Sequence, residues 1–209
     1  HKRVQRLMRK MGLEAVYRKP NTSLPNKEHT IYPYLLKGLK ITRPNQVWAT
    51  DITYIPMAKG FMYLIAIVDL FSRKVLTWSV SNTMESEWCA EVLKAAIKEF
   101  GKPDIFNTDQ GSQFSSDEWK RFLDTHRLSA SMSRRGNCWD NAVAESFFSS
   151  LKKEQIKRRI YSSRDEARSD IFEYIEVFYN RRRRHSHLGQ LSPADYEEKA
   201  NLNEVNECL

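Results

Sequence analysis

The chain has 209 residues, 41% of them hydrophobic and 29% charged, which is ordinary for a soluble globular protein with one sizeable core. The net charge of +8 favours a polyanionic partner, while the longest apolar run, Phe61 to Val68, is far too short to span a bilayer. Cys89, Cys138 and Cys208 are sparse, odd in number and lack a C-x-x-C pair, which argues against a disulfide framework or structural zinc and for a reducing compartment.

In chain order, residues 1–20 carry seven Lys or Arg and one Glu, with Val4, Leu7, Met8 and Met11 at helical spacing and Gly12 as a stop. This reads as a short basic helix with an apolar stripe, either a solvated helix end or the last helix of a DNA-binding module. Because His1 already lies inside the pattern, a longer polypeptide is expected. Residues 20–46 hold Pro20, Pro25, Pro33 and Pro44 and few periodic apolar positions, as in an extended linker. Three strands are then expected at Gln46–Ile55, Phe61–Leu70 and Val75–Val80, turning at Lys59-Gly60 and Ser72-Arg73-Lys74. A helix over Glu85–Phe100 ends at Gly101-Lys-Pro103, and a short strand follows at Asp104–Thr108. A helix over Asp117–His126, a strand at Leu128–Met132 and a long helix over Asp140–Lys157 complete the core. Ser163-Arg-Asp-Glu166 opens a further helix with Ile171, Ile175 and Phe178 as its buried stripe, running into Arg181–Arg184. The tail after Leu191 is acidic and is expected to fray.

The order β-β-β-α-β-α-β-α implies an antiparallel meander followed by two right-handed crossovers. The expected fold is α/β, a five-stranded mixed sheet with helices on both faces.

Three acids stand in distinctive phrases within that order: Asp51 in Trp48-Ala-Thr-Asp51-Ile-Thr-Tyr54, Asp109 in Asn107-Thr-Asp109-Gln-Gly111-Ser-Gln113-Phe114, and Glu145 in Gly136-Asn-Cys-Trp-Asp-Asn141-Ala-Val-Ala-Glu145. Thirty-five residues separate Asp109 from Glu145, a spacing worth almost nothing alone because acids are common in the chain. Placement carries more weight. Asp51 falls in the middle of the first strand, where a charged residue needs a reason, and Asp109 lies at the carboxyl end of a strand that can lie beside it, where sites form in such sheets. For Asp109 the plainer reading is an Asx-turn before Gly111, which can also aim the carboxylate. On the long helix, Asn141, Glu145, Phe148 and Lys152 share one face, and Val143, Phe147 and Leu151 can pack on the sheet. Lys152, two turns from Glu145, is placed to grip a phosphate. Three converging carboxylates suit magnesium, which prefers hard oxygen ligands; two such ions can activate an attacking hydroxyl and stabilise a leaving oxygen in phosphodiester chemistry.

These phrases, with Val68-Asp-Leu-Phe-Ser-Arg73, Leu151-Lys-Lys-Glu154 and His187-Leu-Gly-Gln-Leu-Ser-Pro193, resemble the integrase-core transposases of bacterial insertion sequences, relatives of retroviral integrase. The resemblance covers roughly residues 40–198. It implies a ribonuclease H-like fold and a DDE triad of Asp51, Asp109 and Glu145, with Lys152 as the basic residue seven positions on. It further implies Mg²⁺ (or Mn²⁺) dependence with two ions, cleavage at the element's ends, strand transfer by a 3′-hydroxyl, and homo-oligomers that hold insertion-sequence ends and target DNA. A bacterial, nucleoid-associated, cytoplasmic protein with no membrane contact follows. The implied organisation is the end of an upstream helix-turn-helix region at 1–19, a linker at 20–45, the catalytic core at 46–160, and a helical extension with tail at 161–209.

Other residues carry weaker readings. Asn141, Gln113, Arg134, Arg135 and Trp139 are candidate DNA contacts, though Asn141 and Gln113 could equally satisfy local backbone, and Trp139 alone among the five Trp stands outside a core-like position. Asp69 beside Arg73 reads as a turn-stabilising pair and Asp140 as a helix cap. Arg181–Arg184 is a solvated run or a phosphate-contacting face, and His185 and His187 are surface histidines rather than metal ligands. Two other functions remain open on the residues alone: a ribonuclease H-like nuclease that only hydrolyses, and a non-catalytic DNA-binding module.

Overall fold

The computed structural model describes residues 2–13, 30–134, 136 and 140–207. Strands β1 (Val47–Pro56), β2 (Phe61–Asp69) and β3 (Val75–Ser81) form the expected meander. Helix α1 (Lys2–Lys10) precedes them, α2 (Ser86–Phe100) follows, and the chain then crosses to β4 (Ile105–Thr108), α3 (Asp117–His126), β5 (Ser129–Met132) and α4 (Ala142–Glu154). β4 pairs parallel with β1, and β5 pairs parallel with β4. The order across the five-stranded sheet is β3-β2-β1-β4-β5, so the strand carrying Asp51 and the one preceding Asp109 are neighbours.

The sheet is buried on both faces, which explains the unbroken apolar run of β2. Leu64, Ala66 and Val68 face α4 and the helices after it, together with Ile55, Phe147 and Leu151. Ile65 and Ile67 face α2 and α3, together with Trp48, Leu93, Phe106, Trp119 and Leu123. Among the described residues no helix is long and apolar enough to cross a membrane.

Helix α1 buries none of its residues; Val4, Leu7 and Met11 are exposed, and Gly12, at φ 66°, ends it with Leu13 N–H returning to the Met8 carbonyl. Residues 14–29 lie outside the described residues, including part of the expected linker. From residue 30 the chain is irregular but lies against the core: Tyr32, Leu36 and Ile41 pack on it, and Leu35 N–H donates to Ser131 Oγ at 3.1 Å.

Four expectations are corrected. The Glu145 helix runs from Ala142 to Glu154, shorter than expected at both ends. Gln155 breaks it with φ −120° and ψ −63°, and a 3₁₀ turn, Ile156–Arg158, follows. The next helix, α5 (Arg164–Phe172), opens as expected on Ser163, whose hydroxyl accepts from Glu166 N–H. It then widens into a π-helical stretch, Glu173–Tyr179, with Asn180 N–H bonding back five residues to Ile175 O. A wide turn shifts the inward face by one residue, so Tyr174, Ile175 and Tyr179 are buried and Phe178 is exposed.

The acidic tail, expected to fray, is helical through its described residues. It forms α6 (Pro193–Glu207), where Glu197 accepts from Ser72 Oγ and Lys74 Nζ, each at 2.7 Å, and Tyr196 packs on Phe71. Finally, His185 is packed rather than superficial. Its ring meets Tyr179 edge-on at 5.0 Å, and burial, then Arg183 and Arg73, push its pKa down to about 4.

Candidate active site

The parallel register of β1 and β4 runs Val47 with Ile105, Trp48 with Phe106, and Ala49 with Asn107. Two residues further along each strand come Asp51 and Asp109, so the same register sets the two acids side by side just past the last paired residues. Strand alternation puts Asp51 on the side of Ala49, and Ala49 packs with Ala144 of α4. The two aspartates and the helix carrying Glu145 therefore share one face of the sheet, where β1 has β2 on one side and β4 on the other, a place where sheets of this kind form sites.

Each carboxylate is set by its local sequence. Asp51 Oδ1 accepts from its neighbour's Ile52 N–H at 2.8 Å. Burial pushes the Asp51 carboxyl up to about 6, against that bond, and the charges of Asp109 and Glu145 raise it further while Lys152 pulls it down. Asp109 Oδ1 accepts from Gly111 N–H at 3.0 Å, the expected Asx-turn. Gly111 is there for room: a Cβ would come within 2.7 Å of Gln113 Nε2 and 3.0 Å of Asp109 Oδ1. Burial raises the Asp109 carboxyl as well. Glu145, one turn into α4, is exposed. Lys152, also on α4, is half-buried and close enough to act on Asp51.

The donor set fits a hard divalent cation. All three side chains offer oxygen, and among the described residues neither Asp51 nor Asp109 has an ion-pair partner. Two unneutralised, poorly solvated carboxylates in one place are costly without a counter-charge. Among the described residues, however, no three His, Cys, Asp or Glu side chains are gathered closely enough to hold a metal ion. The exposed Glu145 thus faces the aspartate pair without closing on it.

The other candidates divide. Gln113 and Asn141 are buried, with Gln113 accepting from Ser112 Oγ and Asn141 donating to Thr50 O, so each serves local structure rather than an exposed surface. Arg134 pairs with Asp140 through both Nε and a terminal nitrogen and lies over the Tyr34 ring at 5.2 Å. Arg135 and Trp139 lie outside the described residues. Asp140 is not a helix cap; its carboxylate takes the Arg134 side chain and backbone N–H, and Asn141 occupies the cap position without a side-chain bond. Asp69 does stabilise its turn: its carboxylate accepts from Phe71, Ser72 and Asn45 N–H and its carbonyl from Arg73 N–H at 2.9 Å, while among the described residues the Arg73 side chain makes no ion pair with it.

The shared helix face is also corrected. Phe148 is buried with Phe147 and Leu151, because the π-helical stretch covers a second side of α4 with Tyr179 against Phe147 at 4.9 Å. The sequence reading missed Asn107, Ser131 and Ser133, fully or nearly buried polar residues between the acids. The sequence carried little signal for them: β4, Ile-Phe-Asn-Thr, and β5, Ser-Ala-Ser-Met, are too short and mixed to mark an inward polar position, and Ser133 lies just past β5.

With this geometry in hand, comparison with known proteins is informative. The integrase core domain family model matches residues 41–138, and a second integrase core domain model matches residues 145–200. The transposase for insertion sequence element IS904 of Lactococcus lactis is 41% identical over 208 residues, covering 94% of this chain and 79% of that protein. Transposase InsF for insertion sequence IS3A of Escherichia coli is 44% identical over 158 residues, 75% of this chain; the chain spans only 55% of that protein's length. Among solved structures, the HTLV-2 integrase catalytic core domain in complex with magnesium superposes with a TM-score of 0.58 at 21% identity, covering 74% of this chain and 97% of that one. A chain of the simian T-cell lymphotropic virus intasome in complex with PP2A regulatory subunit B56 gamma gives 0.63 at 21% identity, covering 82% of this chain and 60% of that one. At such identities the structures speak to the fold alone, which is that of retroviral integrase cores, the ribonuclease H-like fold.

Proposed function

The chain belongs to the integrase-core family, among the transposases of bacterial insertion sequences, and on that footing we propose that Asp51, Asp109 and Glu145 are the catalytic triad of a DDE transposase. The observation that carries this reading is the pair of unneutralised aspartates on neighbouring strands with the Glu145 helix across the same face. Asp51 and Asp109 would hold a divalent cation, Mg²⁺ or Mn²⁺, with Glu145 completing a site for two ions once it closes. When bound, the ions supply activation of an attacking hydroxyl and stabilisation of the leaving oxygen.

The chain's own residues prepare that site. Burial leaves the aspartates poorly solvated, which favours a cation as their counter-charge, and a proton competes for the Asp51 carboxylate up to about pH 6. The Gly111 N–H fixes one oxygen of Asp109 and leaves the other free to face a ligand. Lys152 adds a positive charge beside the acids, placed for the phosphate that is cut.

The substrate on this reading is double-stranded DNA: cleavage at insertion-sequence ends, then attack of the freed 3′-hydroxyl on target DNA, by several copies of the chain acting together in the bacterial cytoplasm at the nucleoid. The basic helix α1 would be the end of a DNA-binding region and residues 46–160 the catalytic core, with the helices after it an extension. The test is a joining assay with end-labelled duplexes in Mn²⁺. Products longer than the substrate, abolished by Asp51→Asn, Asp109→Asn or Glu145→Gln with cooperative melting retained, support strand transfer. Shorter products alone would make the protein a nuclease, and DNA binding with neither cleavage nor joining by the unsubstituted chain, all function being indifferent to the three substitutions, would make it a binding module.

A further inference from the structure

Asn107 and Asn141 are the buried centre of a chain of hydrogen bonds that touches all three acid-bearing segments. Leu35 N–H donates to Ser131 Oγ at 3.1 Å, and Ser131 Oγ donates to Asn107 Oδ1 at 2.9 Å. Asn107 Nδ2 has Ser133 Oγ and the Asp140 carbonyl at 3.2 Å and Asn141 Oδ1 at 3.5 Å. Asn141 Nδ2 in turn reaches the Thr50 carbonyl at 3.4 Å. Every link donates in one direction, and at the hub the two protons of Asn107 Nδ2 are shared among three acceptors, the Asn141 oxygen being the farthest.

The placement is specific. Thr50 precedes Asp51, Asn107 lies two residues before Asp109 on the same side of its strand, and Asn141 lies one helical turn before Glu145. Asn107 is 0% and Asn141 6% exposed, so neither side chain is free to meet DNA. Apolar side chains would fill this space as well, but they would let α4 slide; paired amides define one register. The two longest bonds are those that reach α4, at 3.4 and 3.5 Å, against 2.9–3.2 Å inside the strand end.

Resting on the triad reading above, we propose that Asn107 and Asn141 are positioning residues, a buried amide relay that registers the Glu145 helix against the strands carrying Asp51 and Asp109. They touch neither substrate nor metal and act through Glu145. Asn107→Ala removes the hub and can unfold the strand end, so the informative variant is Asn141→Ala.

The experiment is a four-protein cycle: the unsubstituted chain, Asn141→Ala, Glu145→Gln and the double variant, each titrated with Mn²⁺ by calorimetry without DNA, with thermal melts alongside. Asn141→Ala is expected to weaken Mn²⁺ binding by roughly tenfold or more, as loss of a partner that orients a ligand does, and to add nothing once Glu145 is Gln. Equal losses in both backgrounds, or no loss in either, would overturn the positioning role while leaving the triad intact. Glu145→Gln with unchanged Mn²⁺ binding would overturn the relay, since Asn141 would then have no ligand to act through, while the triad is decided separately by the joining assay on Glu145→Gln. Should Asn141→Ala not melt cooperatively, Asn141→Ser, which places a hydroxyl suited to capping at that position but is too short to reach Thr50, completes the same cycle.

Discussion

The two ends of α4 are held by opposite means. Its far end is clamped by Phe147, Phe148 and Leu151 in an apolar cluster with Tyr161, Ile171, Tyr174 and Tyr179, and by Glu154 bonded to Tyr174 and Arg183. Its near end, which carries Glu145, sets the small side chains of Val143 and Ala144 against the sheet and takes its register from amide bonds of 3.2–3.5 Å. Dispersion and area hold the first end tightly and without much direction, whereas hydrogen bonds hold the second end weakly and in one orientation. A helix fixed at one end and merely registered at the other can bring its glutamate to an ion without disturbing the core.

That contrast can be broken most severely at the clamped end. Phe147→Ala is expected to cost about 3–5 kcal/mol, because the ring is 1% exposed and nothing can collapse into the space; urea unfolding would measure it, and a cost near zero would mean the clamp is elsewhere. At the open end the sign reverses. The Asp51 carboxyl is raised to about 6, above the unfolded value of about 4. Its contribution to stability is therefore complete below about pH 4 and is lost as pH rises through 6. Asp51→Asn in metal-free protein should then be more stable than the parent by on the order of 2–3 kcal/mol at about pH 8 and equal to it at about pH 3. A lower melting temperature at pH 8 would mark the residue as structural.

Smaller effects sharpen the same picture. Glu154→Gln should cost about 1 kcal/mol, since the pair with Arg183 is partly solvated. Arg183 holds the Glu154 carboxyl low, so this contribution is present above the ordinary glutamate value and fades as pH falls through the folded one; an acid titration of the two proteins would see their stabilities converge. Smallest for the fold is Lys152→Ala, expected to leave melting unchanged while the salt dependence of DNA binding loses about one counterion. Unchanged affinity at low salt would remove Lys152 from the phosphate.

Much of this was legible in the residues. Apolar alternation and turn chemistry locate every strand within a residue or two, and right-handed crossovers allow the Asp51 and Asp109 strands to be neighbours; that β4 joins the β1 edge of the meander rather than the β3 edge is decided by packing, which no local pattern carries. The features that escaped depend on contacts between distant segments. Phe148 looked exposed because helical angle alone cannot reveal that a second helix covers that side. The acidic tail looked loose because Glu197 acquires its meaning only from Ser72 and Lys74, more than a hundred residues away. Asn107 escaped because a lone amide in a short strand has no period to betray it.

The wide turn at Glu173–Tyr179 has a consequence for the arginines beyond it. Each helical residue advances the azimuth by about 100°. One residue more or fewer in that stretch acts as a phase dial, turning Arg181, Arg182 and Arg184 by a quarter of a circle or more while the sheet stays where it is. The surplus residue is also what brings Asn180 onto β3, where its amide bonds both the N–H and the carbonyl of Val75, so the heading of that basic array is pinned to the sheet ahead of the arginines themselves.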